Sequence, residues 1–338
     1  MLRTLPLAFF LACVSPADDS GHPHPPQPRD TADSGADTAD SSSDSADTGA
    51  PTCGDGRVDA PHEECDGADD SSCAGRCAST CQCPSMPASG TLELDVIDVW
   101  QGDGLLVVSP DGFVTLVDSG DSDQLDAVQK YLLSRGIPGV DYTVVSHQHA
   151  DHMGAMGAFL DAHPEVGLAW DGGGTATTDA FDRYVRAAGD RRTTIVKDDT
   201  LDLGGAMLAE VLHADVGSTD NENLNSVVLR LTYGNVRMLL GGDCETWGCE
   251  RVFDPGPIDI YKVHHHGSSD SSGDGFLAEM QPKVALISVG TGNDYGHPDP
   301  GTLDRLAAVG ADVWRTDQDG TIAVTTDGAT WTVSAEKR

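Results

Sequence analysis

From residue 92 onward the chain is a succession of short apolar runs separated by polar and glycine-rich stretches. Strands are predicted at residues 92–99, 105–109 and 113–117, where β-branched residues and leucines cluster between turn residues. A helix over 123–134 follows, closed by Gly136 and Pro138, and the apolar run 142–145 reads as a buried strand. Extended and helical patterns then alternate through 166–170, 179–188 and 193–196, with His163 at a helix end before Pro164. Further strands are predicted at 206–212, 226–231, 236–240 and 258–263. Strands flanked by helices in two similar halves imply an α/β chain of αββα type, two sheets face to face with helices outside.

The pattern before residue 91 is different. Residues 5–12 form an apolar run after Arg3 that is too short to span a bilayer but fits the core of a secretory signal. Ala12 before Cys13 is similar to a bacterial lipobox, so residues 1–13 are expected to be a signal peptide and Cys13 a lipid-bearing residue. A signal cleaved without lipidation is the alternative. Residues 14–52 are Asp, Ser, Thr, Ala, Gly and Pro with few large apolar side chains, which predicts a disordered acidic linker. Residues 53–84 hold Cys53, Cys65, Cys73, Cys77, Cys81 and Cys83. That even count in an exported chain predicts a disulfide-stapled module, with a zinc knuckle as the alternative. The start of this stretch, CGDGRVDAPHEECDG, resembles small cysteine-rich repeats of bacterial surface proteins. The remaining residues, 91–338, are expected to form one hydrolase domain.

Charge narrows the partners. The formal net charge is -35, and residues 91–338 contribute 16 basic minus 40 acidic residues, or -24. Such a surface repels polyanions, so tight nucleic-acid binding is not expected. No protein partner is inferable from the sequence.

The candidate chemistry begins at the end of the strand 142–145, in Ser146-His147-Gln148-His149-Ala150-Asp151-His152. Imidazoles and a carboxylate suit zinc, manganese or iron, and ligands so close in sequence converge only when the loop wraps around the metal. Their offsets do not let all four face one ion. The natural division is His147 and His149 on one ion, Asp151 and His152 on a second.

This HxHxDH loop after a strand resembles the metallo-β-lactamase fold hydrolases. Within that fold, DVWQGDGLLV, LVDSG, GGD at 241–243, HHGS at 265–268, NDYGHP at 293–298 and WRTDQDGTIAV resemble the metallohydrolase domain of ComEC-like competence proteins and related phosphodiesterases. Trp100 stands where that branch has glycine, next to the expected site. The resemblance implies a dinuclear centre with two divalent ions, zinc or manganese, a bridging hydroxide as nucleophile, Asp243 as bridging carboxylate and His265 as ligand to the second ion. It implies Asp118 as support for the loop. Asp151 would orient the nucleophile, and His297 or His213, the only imidazole near the first ion's missing ligand, would protonate the leaving group; a loop-packing histidine at 297 and a strand-end histidine at 213 are the alternatives. His213 or an asparagine near 223–225 would complete the first ion's site. The activity implied is hydrolysis, of a phosphodiester foremost, and the N-terminal segment would place it outside the cytoplasm on a membrane lipoprotein anchored through Cys13. Hydrolysis of a β-lactam or lactone, or a surface binding role without turnover, are the alternatives. Cys244 and Cys249, just after Asp243, would form a local disulfide in an exported protein or remain two buried thiols.

Overall fold

The computed structural model describes Val58, Cys65, Asp66, Cys77, Ala78, Cys81 and residues 83–215 and 221–338. The expected signal segment with Cys13, the acidic linker and most of the cysteine-rich stretch lie outside the described residues. Within that stretch Cys65 and Cys77 form a disulfide with Cα atoms 5.8 Å apart. Cys81 and Cys83 are disulfide-bonded as well.

In the first sheet β1 (Leu92–Val96), β2 (Leu105–Val108) and β3 (Val114–Val117) are an antiparallel meander. To it β4 (Tyr142–Val145), β5 (Leu168–Asp171) and β6 (Arg192–Thr194) add in parallel. Parallel strands need crossovers, and these carry α1 (Leu125–Ser134), α2 (Ala150–Met153), α3 (Met156–Ala162) and α4 (Asp179–Ala188).

The second sheet repeats the plan. Strands β7 (Thr200–Leu201), β8 (Leu208–His213), β9 (Val228–Tyr233) and β10 (Val236–Leu240) are antiparallel. Parallel β11 (Ile260–Lys262), β12 (Val284–Ile287) and β13 (Asp312–Arg315) follow, with α5 (Asp274–Met280) and α6 (Pro300–Ala308) between them. The chain then returns to the first sheet through β14 (Ile322–Thr326), which pairs with β1, and β15 (Trp331–Ala335). The sheet orders are β15-β14-β1-β2-β3-β4-β5-β6 and β13-β12-β11-β10-β9-β8-β7.

Side-chain alternation makes three apolar layers from these elements. Leu105 and Val107 of β2 join a core between the sheets with Leu229, Met238, Ile260 and Leu286. Leu106 and Val108, pointing the other way, meet Val128, Phe159 and Tyr184 of the outer helices. Tyr261, Ala285 and Ile287 pack on Phe276, Leu277 and Leu306 on the far side. With both sheet faces covered, the strands read as continuous apolar runs, and each fully buried Leu contributes about 1.5–3 kcal/mol. The αββα sandwich predicted from the pattern is the observed architecture.

Several predicted elements are trimmed at their ends. The strand expected over 92–99 stops at Val96, because the Ile97 N–H turns to the Gly104 carbonyl (2.9 Å) and the Asp98 N–H donates to Thr321 Oγ1 (3.1 Å). His163 caps α3, as its place before Pro164 suggests. Helix α4 occupies residues 179–188 as predicted, with Thr178 Oγ1 accepting from the Phe181 N–H. No helix among the described residues is long and apolar enough to cross a membrane.

Candidate metal centre

Loops at the carboxyl ends of β3, β4, β10, β11 and β12 meet at one edge of the sandwich. The loop after β4 brings His147, His149, Asp151 and His152, β10 runs into Gly241, Gly242 and Asp243, and β11 leads into His264, His265 and His266. Two close approaches explain glycines here. Gly102 (φ +117) lies so near the Asp151 carbonyl that a β-carbon would collide with it. Gly242 (φ +49) lies against Ser146 Oγ, where a β-carbon would sit 2.7 Å away.

The carboxylate of Asp243 is the meeting point. Its Oδ1 is 3.1 Å from His152 Nε2 and 3.4 Å from His266 Nε2. Its Oδ2 is 3.9 Å from His147 Nε2 and 3.6 Å from His265 Nε2. On the Oδ1 side Asp151 Oδ2 adds a donor 3.4 Å from His266 Nε2. On the Oδ2 side His149 Nδ1 lies 3.0 Å from His147 Nε2. Two sets of donors share Asp243, with Asp151, His152 and His266 in one and His147 and His149 in the other, each set's ligand atoms within 4.8 Å of one another.

Hydrogen bonds behind the imidazoles fix which nitrogen faces inward. His152 donates from Nδ1 to Asp118 Oδ2 (2.8 Å), and His266 donates from Nδ1 to the Ser288 carbonyl (2.9 Å). Asp118 also accepts from the Ser146 N–H (2.7 Å) and hydroxyl (2.6 Å). That hydroxyl lies 3.1 Å from His147 Nδ1. With Nδ1 occupied, each of these rings presents Nε2 to the centre, the arrangement that metal ligands need. Asp118 therefore stands behind the loop, as the resemblance implied.

Charge in the cluster is unevenly shared. Burial holds the His147 imidazole well below its usual range, with His152 adding to the effect. Burial acts on His152 and His266 in the same direction, but the Asp243 carboxylate foremost outweighs it and raises both. Asp243 and Asp151 are in turn depressed, since the His152 and His266 imidazoles outweigh the cost of burying a carboxylate. Convergent imidazole nitrogens around a buried carboxylate whose Oδ1 makes no hydrogen bond are a donor set suited to borderline divalent cations. The residues fit a metal centre.

The structure moves two expected roles. His266, rather than His265, converges with Asp151, His152 and Asp243, while His265 faces the other oxygen of Asp243. Strand alternation cannot decide between them, because His265 (φ +49) and His266 (φ +52) are both left-handed. His213 stays away from the cluster: its Nδ1 donates to the Ser226 carbonyl (2.7 Å) and its ring lies by Phe253. His297 does reach the site, its ring centroid 5.5 Å from that of His265. Asn223, in the stretch where an asparagine was one candidate to complete the first ion's site, lines the cavity in front of the cluster, about 350 Å³ in volume, with Gln101, Tyr295 and His297. Its Nδ2 donates to Glu245 Oε1 (2.7 Å), and its buried Oδ1 makes no hydrogen bond.

Two residues went unnoticed in the sequence. Lys262 and Asp103 are fully buried beneath the centre, Nζ to Oδ2 2.7 Å, with Asp103 Oδ1 3.5 Å from His266 Nδ1. The only signal was their place in the QGDG and KVHHHGS segments. Cys244 and Cys249 form a disulfide, Cα atoms 5.3 Å apart, that closes the turn carrying Glu245. Opening it by Cys244→Ala/Cys249→Ala is expected to cost about 2 kcal/mol by chain entropy. Urea unfolding of oxidised wild type against the variant measures it, and equal midpoints would show that the bridge is energetically idle.

The sequence comparisons agree with this geometry. Residues 97–291 match the family profile described as "Metallo-beta-lactamase superfamily". The chain is 30% identical over 263 residues to ComE operon protein 3 of Bacillus subtilis, covering 71% of this chain and 33% of that protein. It is 29% identical over 228 residues to Recombination protein 2 of Haemophilus influenzae, covering 64% and 26%. The chain thus spans a third or less of the length of these relatives. Among solved structures, CmlA, a diiron beta-hydroxylase from Streptomyces venezuelae, aligns with a TM-score of 0.46 at 14% identity, covering 66% of this chain and 52% of that one. A likeness at that level assigns no chemistry. With over half its length matched to the profile and the histidine loop, GGD and HHGS segments folded around one carboxylate, the chain belongs to the metallo-beta-lactamase superfamily and is homologous to competence proteins.

Proposed function

We propose that the chain is an exported metal-dependent phosphodiesterase whose centre holds two divalent cations, zinc or manganese. The observation that carries the reading is Asp243, which turns one carboxylate oxygen toward each of two donor sets. His147, His149 and Asp243 Oδ2 would hold one cation, with His265 beside them. Asp151, His152, His266 and Asp243 Oδ1 would hold the other. Cations there would make water nucleophilic near neutral pH and stabilise charge on the attacking and leaving oxygens of an in-line displacement.

The chain's own groups do the rest. Asp151, kept ionised by His152 and His266 despite its burial, can accept a proton from the nucleophile and orient it. Asn223 Oδ1 offers an acceptor in the cavity wall. Burial, then the neighbouring His265 and His266, lower the His297 imidazole, so at neutral pH it is uncharged and offers an N–H to an ester oxygen. Asn293 sets that loop by donating to the Gly290 (3.0 Å) and His297 (2.8 Å) carbonyls and accepting from the His297 N–H (3.1 Å). The disulfides Cys65–Cys77 and Cys244–Cys249 support an oxidising compartment outside the cytoplasm. Attachment to the membrane through Cys13 belongs to the same reading.

Bis(p-nitrophenyl) phosphate is expected to be hydrolysed faster than nitrocefin by protein loaded with zinc or manganese at about two ions per chain. Cleavage of long DNA is expected to be weak and to hold or rise with salt, because screening relieves repulsion from a domain of charge -24. Nitrocefin turnover without diesterase activity, or efficient DNA cleavage steeply inhibited by salt, would overturn the assignment.

A further inference from the structure

A second cavity, about 300 Å³ in volume, adjoins the metal cavity, and Gln101, Asp151 and Tyr295 line both. Its remaining wall is Trp100, Gln124 and the carboxylates of Asp121, Asp123 and Asp294. None of those three carboxylates is paired with a lysine or arginine among the described residues. The two aromatic side chains are unusually open for their size, Trp100 52% and Tyr295 68% exposed.

Both rings are held by their loops. Trp100 has φ +62, a left-handed backbone that bulky residues avoid. Its N–H donates to Asp98 Oδ1 (3.2 Å), and the indole lies over Gly290, where a β-carbon would come within 3.0 Å of Cε2. Gln101 Oε1 accepts from the Gly290 N–H (3.2 Å) and ties the two loops together. Tyr295 stacks on His297, centroids 5.9 Å apart and planes 14° apart, and its N–H donates to Asn293 Oδ1 (3.1 Å). A strained tryptophan propped on a glycine at the rim of a reaction cavity is built to present its ring.

Aromatic faces beside unpaired carboxylates attract an organic cation and repel an anion. A nucleobase would also stack on such rings, but the next phosphate of its chain would meet three carboxylates. We propose that this groove binds an alkylammonium group carried on one alcohol of the substrate, so that the preferred substrate is a zwitterionic phosphodiester of the choline or ethanolamine type. The proposal rests on the phosphodiesterase reading for its reaction but not for its binding. In that reaction a P–O bond forms to the water oxygen and the P–O bond to the other alcohol breaks. The departing alcohol takes the electron pair and a proton, and the ammonium-bearing alcohol stays on the phosphate in the groove.

Two esters with the same leaving group isolate the charge: p-nitrophenyl phosphorylcholine and p-nitrophenyl 3,3-dimethylbutyl phosphate, which replaces nitrogen by carbon. Wild type is expected to favour the charged ester by about tenfold in kcat/KM, mostly through KM. Asp294→Asn and Trp100→Gly should each bring that ratio toward one, and glycine suits the left-handed backbone at position 100. Choline chloride should quench indole fluorescence saturably in wild type and not in Trp100→Gly, whether or not any ester is hydrolysed. Hydrolysis of neither ester would therefore refute the phosphodiesterase reading and leave the quenching to decide the groove. A wild-type ratio near one, a ratio unchanged in both variants, or quenching by a neutral sugar instead of choline would overturn the proposal.

Discussion

Asp243→Asn is expected to lower kcat/KM for bis(p-nitrophenyl) phosphate by on the order of a thousandfold, the equivalent of several kcal/mol of lost charge stabilisation. Metal content should fall from about two ions per chain to one or fewer. The size of the effect follows from the geometry, since both oxygens of this one carboxylate face imidazole pairs and an amide presents only one oxygen. Chelation adds a second readout. Burial would push the His152 and His266 imidazoles down, but Asp243 foremost raises them. In the metal-free chain their stabilising contribution is present below the ordinary histidine range and is lost as pH rises through their raised values. Metal binding needs neutral imidazoles, so the loaded chain should gain stability over the same rise in pH. Thermal unfolding with and without chelator across that range tests both signs. A variant that keeps two ions and wild-type turnover would remove Asp243 from the mechanism.

Lys262→Met is expected to give the largest loss of stability of any single change near the centre, about 3–5 kcal/mol, because it leaves the Asp103 carboxylate buried without its ammonium partner. Both side chains are inaccessible and their charged atoms lie 2.7 Å apart. For a domain of this size that loss corresponds to a melting temperature lower by on the order of 10 °C. The double variant Lys262→Met/Asp103→Asn should regain more than half of it, since Asp103→Asn removes the uncompensated carboxylate. The Asp103 N–H also donates to the Asp151 carbonyl (3.0 Å), so the single variant is expected to loosen the histidine loop and lower metal affinity as well. A single variant within about 0.5 kcal/mol of wild type, the margin of ordinary surface substitutions, would show that Asp103 finds another partner.

The sequence by itself determined the layers. Continuous apolar runs bounded by turn residues can be buried only with both faces covered, and residues such as Leu105, Leu106, Val107 and Val108 divide between cores on opposite sides of their sheet. It also located the chemistry at the ends of β4, β10 and β11, because imidazoles and carboxylates crowded just after buried strands are the donors that a divalent cation needs. The remainder was decided by contacts between segments far apart in the chain. Period-two alternation ends at Val263, and two consecutive left-handed residues then choose His266 for the Oδ1 side of Asp243 and His265 for the other. His213 ends a strand as predicted, yet the Ser226 carbonyl takes its ring nitrogen and keeps it out of the cavity. Asp103 and Lys262 lie 159 positions apart and find each other only when both sheets are in place. Trp100 and Tyr295 come from loops of opposite sheets, so their shared groove exists only where the sandwich brings those loops together.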